Sequence, residues 1–286
     1  MGEVRKTRWR EAGGSSRLSA GGVELESFTI GPRPDRAPTL ILLHEGLGCV
    51  ALWRDFPRRL AEATGCGVLA FSRAGYGASD PCPLPRPLDY MTREAVSVLP
   101  GVLDEIGFCE GVLIGHSDGA SIAAIHCGEV RDPRVRGLVL MAPHFFTEEM
   151  GLVAIAEART AYAEGDLRDR LAKYHGNVDA AFRGWNDAWL DPGFKAWDIR
   201  SCLDPIRVPV LCLQGEGDQY GTEAQVRVVA ERVSAKVDIR MISECRHAPH
   251  LEAPDITLDE VTEFIAGLRA GGALTAGATD VRRIQD

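Results

Sequence analysis

The sequence predicts an α/β protein: a mostly parallel sheet with helices on both faces and an inserted helical segment. Three observations carry this. Short, mostly apolar runs recur along the chain, the pattern of strands buried on both faces. Segments with apolar residues at helical spacing lie between them. The alternation breaks once, between Pro143 and Ile206, where only helical pattern is found.

Residues 1–20 are polar and Gly/Ser-rich, and residues 1–21 are expected as a flexible lead-in. Residues 22–30 alternate in polarity and predict an edge strand. The buried runs follow as Thr39–Leu43, Gly67–Phe71, 112–114, Val135–Met141, 208–213 and Val237–Ile242. Trp53, Phe56, Leu60 and Ala61 mark a helix after the first run. Ala95, Val98, Leu99, Val102, Leu103 and Ile106 mark another, ended by Gly107. An Ala-rich helix over 121–127 follows the third run, and Leu258, Val261, Phe264, Ile265 and Leu268 mark the last. The Gly/Ala tail, 271–286, is expected to fray. The core is therefore expected over 22–142 and 207–270, interrupted by helices over 143–206.

At 286 residues the chain buries enough surface to need no staples. Its formal net charge of −9, without a Lys/Arg cluster, argues against nucleic acid as a partner. The 28 Arg against 4 Lys read as a compositional bias, not a binding feature. No stretch approaches the ~20 apolar residues of a membrane span, and residues 1–10 lack a secretory pattern. The eight cysteines form no C-x-x-C pair. They predict reduced thiols, several of them buried, in a cytoplasmic protein, and no metal site. A monomer or homodimer acting on a small molecule is expected.

Gly115-His116-Ser117-Asp118-Gly119 stands directly after the third run and before a helix. A serine on such a sharp turn is thrust forward, and flanking glycines remove Cβ atoms that would collide. The backbone N–H of Asp118, at the helix N-terminus, suits a developing oxyanion. A serine nucleophile needs a base, and the base an orienting acid. Asp218 follows the fifth run and His247 the sixth, giving the chain order Ser, Asp, His. Glu216 and His250 remain alternatives to these two. His44-Glu45-Gly46-Leu47-Gly48 follows the first run. Gly46 or Leu47 would supply a second oxyanion donor; the sequence does not separate them. His44 and His116 read as buried histidines bonded to backbone.

With these motifs, and with Ser72-Arg73-Ala74-Gly75-Tyr76-Gly77-Ala78-Ser79 after the second run, the chain resembles the α/β-hydrolase superfamily over about residues 22–270. The resemblance implies an eight-stranded sheet, a helical cap over 143–206, an active site between core and cap, and no cofactor. Three positions depart from the family pattern. Glu45 stands where the first loop usually has Gly, Arg246 where Gly usually precedes the histidine, and Asp118 where an apolar residue is common. Serine at 117 sets the chain apart from the haloalkane dehalogenase and epoxide hydrolase branches, which use a carboxylate there.

The expected activity is cofactor-independent hydrolysis of a small ester or thioester through an acyl-enzyme. C–C bond hydrolysis, perhydrolysis and non-catalytic ligand binding are the alternatives. Among the aromatics of the insertion, Phe145, Trp185 and Trp189 are expected to roof the cleft. Glu45 and Asp118 are expected to make its mouth negative and to favour a substrate with an amino group.

Overall fold

The computed structural model describes residues 9–275. The elements run β1 (Gly14–Ala20), β2 (Val23–Ile30), β3 (Thr39–Leu43), α1 (Phe56–Thr64), β4 (Gly67–Phe71), α2 (Tyr90–Arg93), α3 (Leu99–Glu105), β5 (Gly111–His116), α4 (Asp118–Ile125) and β6 (Val135–Met141). Then come α5 (Glu149–Glu164), α6 (Leu167–Leu171), α7 (Val178–Trp189), β7 (Val210–Gly215), α8 (Ala224–Arg232), β8 (Val237–Ile242), α9 (Pro249–Glu252) and α10 (Pro254–Ala270). The eight strands form one sheet in the order β1-β2-β4-β3-β5-β6-β7-β8. β2 runs antiparallel to both β1 and β4; every other pairing is parallel.

The central strands are mostly apolar because both faces are covered, and alternate side chains enter different cores. Leu40 and Leu42 of β3 join Trp53, Phe56, Leu60, Val261 and Ile265 on one face. Ile41 and Leu43 join Leu99, Val102, Leu103 and Ile122 on the other. Six cysteines (49, 66, 127, 202, 212 and 245) are buried and pack as small apolar groups.

Four sequence expectations are corrected. The expected lead-in contains β1, which pairs with β2 along its whole length and buries Leu18 and Ala20. Residues 22–30 form a strand, but an inner one, and β1 takes the edge. β8, expected as a buried run, is the opposite edge and is only partly covered, with exposed Ile239 and Arg240. The first part of the expected loose tail is held: Leu274 is buried, and Thr275 donates through N–H and hydroxyl to Glu110. Residues 276–286 lie outside the described residues.

Residues 143–206 fold as α5, α6, α7 and short 3₁₀ turns, with one isolated bridge between Phe146 and Asp198. Asn186 ties α7 to α5. Its amide donates to the Ile155 carbonyl and accepts from Arg159, both at 2.9 Å. Ile155, Phe182, Trp185 and Trp189 join the same apolar cluster as the sheet. Among the described residues, no helix is long and apolar enough to cross a membrane.

The turn from β5 into α4 tolerates no side chain at its two glycines. A Cβ at Gly115 would lie 2.3 Å from the Gly119 carbonyl oxygen, and one at Gly119 would lie 2.0 Å from that of Leu43. Both obstacles are backbone and cannot swing away. Gly267, inside α10, meets nothing within 4 Å. Gly115→Ala should therefore destabilise by about 2 kcal/mol or more. Gly267→Ala should stabilise by about 0.5–1 kcal/mol through helix propensity. Thermal unfolding of the two variants beside the parent checks both signs.

Candidate active site

Ser117 sits where β5 ends and α4 begins, with φ 53° and ψ −118°. That backbone state disfavours any residue with a Cβ, at a cost on the order of 1–3 kcal/mol. The surroundings hold it there. The Ser117 N–H donates to the Met141 carbonyl at 2.9 Å, and its own carbonyl accepts from Ala120 at 2.9 Å. Ser117 lines a cavity of about 90 Å³ with Glu45, Gly46, Leu47, His144, Ile155, Trp185, Trp189, Tyr220 and His247.

Asp218 and His247 follow β7 and β8 and meet across the carboxyl ends of the strands. His247 Nδ1 lies 2.9 Å from both carboxylate oxygens of Asp218. The acid is itself oriented: Gln214 donates to one oxygen at 2.7 Å and the Tyr220 N–H to the other at 2.8 Å. Burial works against ionisation of Asp218, but the hydrogen bond and charge of His247 outweigh it and hold the carboxyl below the usual range. Glu216, the alternative acid, is exposed. Among the described residues no hydrogen bond joins Ser117 to His247; the two share the cavity wall.

His250 packs against Trp53 and His116 and does not line the cavity. Burial pushes His250 and His144 down to about 3, so both are neutral near pH 7. His44 and His116 are bonded to backbone as the sequence suggested: His44 Nδ1–H to the Glu45 carbonyl at 2.7 Å, and His116 Nε2–H to the His247 carbonyl at 2.7 Å.

The loop after β3 is pinned by a buried arginine. The Glu45 carbonyl accepts from Arg73 at 3.0 Å, His44 at 2.7 Å and the Gly48 N–H at 3.1 Å. The peptide plane joining Glu45 to Gly46 is thereby fixed. Among the described residues, no hydrogen bond uses the N–H of Gly46 or Leu47. Gly46 has no room for a Cβ, which would fall 2.2 Å from the Trp185 ring.

Several expected site residues are placed otherwise. The Asp118 side chain is fully buried, not at a cleft mouth. It accepts from Tyr90 at 2.5 Å and Trp189 at 3.3 Å, with Arg73 at 3.9 Å. Burial holds its carboxyl above the usual range against the pull of Arg73. A pair of carboxylates at the mouth, and the preference for an amine built on it, therefore has no basis. Phe145 is core: its N–H donates to Gln225 and its ring does not reach the cavity. Trp185, Trp189 and Glu45 do line it. Sequence reasoning missed His144, Ile155 and Tyr220. His144 had a signal, since it stands three residues after the end of β6; Tyr220 stands two after Asp218. Ile155 had none.

Residues 40–260 match the alpha/beta hydrolase family. Among curated proteins, 128 residues are 30% identical to epoxide hydrolase 2 of Siraitia grosvenorii, covering 45% of this chain and 38% of that protein. The match thus spans well under half of that relative. Among solved structures, a hydrolase from Pseudomonas aeruginosa superposes with TM-score 0.70 at 18% identity, covering 88% of this chain and 98% of that one. The enol-lactonase from Burkholderia xenovorans gives 0.68 at 20% identity, covering 88% and 100%. At such identities the structural likeness concerns the fold. The family match covers most of the chain and includes the elbow, the acid and the histidine: this protein belongs to the alpha/beta hydrolase family.

Proposed function

We propose that this chain is a cofactor-independent serine hydrolase that cleaves a small carboxylic ester or thioester through an acyl-enzyme. The observation that carries the reading is the Asp218–His247 pair at 2.9 Å on a cavity whose wall also holds Ser117 in its strained turn. His247 takes the Ser117 proton as the oxygen attacks the carbonyl carbon. Asp218 holds the imidazole in the tautomer with Nδ1–H and stabilises its cation. His247 then protonates the leaving group, and water activated by the same ring releases the acid. Burial lowers His144 and His250 to about 3, which makes both weak bases, and His250 does not line the cavity, so neither competes for the role.

The oxyanion is assigned to the N–H groups of Asp118 and Gly46. Asp118 opens α4, where backbone dipoles favour negative charge. Gly46 belongs to the peptide whose carbonyl takes three donors, one of them the buried Arg73. Such a peptide is fixed before substrate arrives and costs no reorganisation in the transition state.

Residues 143–206 act as the cap, with Trp185 and Trp189 as its contribution to the acyl site. The cavity, about 90 Å³, is far below the roughly 300–1,000 Å³ of drug-sized sites. It favours a short aliphatic or small aryl acyl group. The relative's name raises epoxide opening as a second reading. That chemistry by way of an alkyl-enzyme needs a carboxylate at the elbow. Position 117 is serine, and the adjacent carboxylate is buried against Tyr90 and Trp189.

A panel of short-chain and aryl esters, thioesters, lactones and epoxides tests the reading. Turnover is expected on the acyl compounds and not on the epoxides; no acyl turnover, or epoxide opening, contradicts it. Ser117→Ala should lower kcat by on the order of a million-fold with the fold retained, and near-normal turnover would remove the serine from the mechanism. The buried histidines also set a pH dependence of stability. His250 binds its proton more readily unfolded (near 6.5) than folded (about 3), so its contribution is complete above pH 6.5 and falls as pH drops toward 3. Between pH 7 and pH 5 that amounts to about 2 kcal/mol. His250→Gln should therefore lose less stability than the parent over this interval in denaturant titrations; equal losses would exclude the assignment.

A further inference from the structure

Glu45 is the residue that departs most plainly from the family pattern, and the mechanism above gives its carboxylate no part. Its Oε2 lies 3.4 Å from His116 Nδ1, longer than a well-formed hydrogen bond but within ion-pair reach. The opposite nitrogen of that ring, Nε2, donates to the backbone carbonyl of His247 at 2.7 Å. Three groups thus stand in line: carboxylate, imidazole, and the carbonyl of the proposed base.

The chemistry of the line fixes its protons. A carbonyl only accepts, so His116 Nε2 carries a proton in every state. If Nδ1 bore a lone pair, it would face an ionised carboxylate across 3.4 Å, the imidazole being 2% exposed and the Glu45 side chain 24% exposed where it borders the cavity. A second proton on the ring turns that repulsion into an ion pair. We propose that Glu45 and His116 form a carboxylate–imidazolium pair that positions His247 from behind, gripping its backbone while Asp218 grips its ring. The inference rests on His247 being the base.

The titratable groups around His116 agree with this state. Glu45 faces it from the loop after β3, His250 from α9 at 5.0 Å between ring centroids, and His247 from the loop after β8 at 5.1 Å. Asp218 and His144 act on it from farther away. His144 and His250 are neutral, so no cation opposes the charge on His116 from these elements. Burial alone would discharge His116, but Glu45 and the His247 carbonyl outweigh it and move its titration upward. Burial likewise resists ionisation of Glu45, and His116 outweighs it and holds the carboxyl well below its usual range.

Two consequences distinguish this pair from packing. His116 is charged at neutral pH although buried. That charge depends on the Glu45 carboxylate, which stands at the ring nitrogen opposite the one bonded to the His247 backbone. Glu45→Gln keeps the shape, removes the carboxylate and lets His116 discharge. The test is a pH titration of nitrogen-15-labelled histidines by NMR, which needs no substrate. In the parent protein at pH 7, His116 is expected with protons on both ring nitrogens. In Glu45→Gln it is expected neutral, with a proton on Nε2 alone, because the His247 carbonyl still accepts from that nitrogen. A neutral His116 in the parent overturns the proposal without needing any variant to fold. A His116 that keeps both ring protons at pH 7 in Glu45→Gln overturns it as well. Neither result depends on turnover, so failure of the ester panel and failure of this pair are read separately.

Discussion

The site depends on one steric constraint, the close seating of the turn between β5 and α4 against β3. Gly119 lies so near the Leu43 carbonyl, and Gly115 so near the first turn of α4, that neither accepts a methyl group. That contact forces Ser117 to a positive φ and presents its side chain to the cavity. It also brings α4 beside the loop after β3, so the N–H groups of Asp118 and Gly46 come from elements held together by backbone contact. The strain at Ser117 is repaid by the hydrogen bonds of the turn and by burial of the whole of α4.

A second layer of order lies behind that turn. Arg73 is almost fully buried and divides its guanidinium between the carbonyls of His44 and Glu45 while facing the Asp118 carboxylate. Asp118 in turn receives Tyr90 and Trp189. One buried cation and one buried anion thereby link the loop after β3, α4 and the inserted α7. Buried charges of this kind are costly unless fully bonded, and what they provide here is a fixed relation between three segments that border the cavity. The position of Trp189 follows from its bond to Asp118 as much as from apolar packing.

Much of this was legible in the sequence. The strands β3 to β7 stood out because both faces are almost wholly buried and their side chains are mostly apolar, with Arg136 of β6 as the exposed exception. Asp218 and His247 were legible because parallel strands deliver their carboxyl ends to one rim. β1 was hidden by its composition: an edge strand needs only Leu18 and Ala20 inside, and the rest of Gly14–Ala20 reads as loop. The six-residue β8 is half exposed for the same reason at the other edge. Helical spacing shows that an aromatic is buried but not whether it faces core or cavity. Trp185 and Trp189 reached the cavity and Phe145 did not. The side chain of Asp118 was misplaced because its partners, Arg73, Tyr90 and Trp189, come from three distant segments.

The central claim is that one serine is activated by one histidine across the cavity. Peptide mass spectrometry after treatment with a small alkyl fluorophosphonate tests it most directly. The account predicts a single covalent adduct, on the peptide carrying Ser117, formed by the parent protein and lost in His247→Gln. An adduct on another residue, or equal labelling of Ser117 without His247, would contradict it.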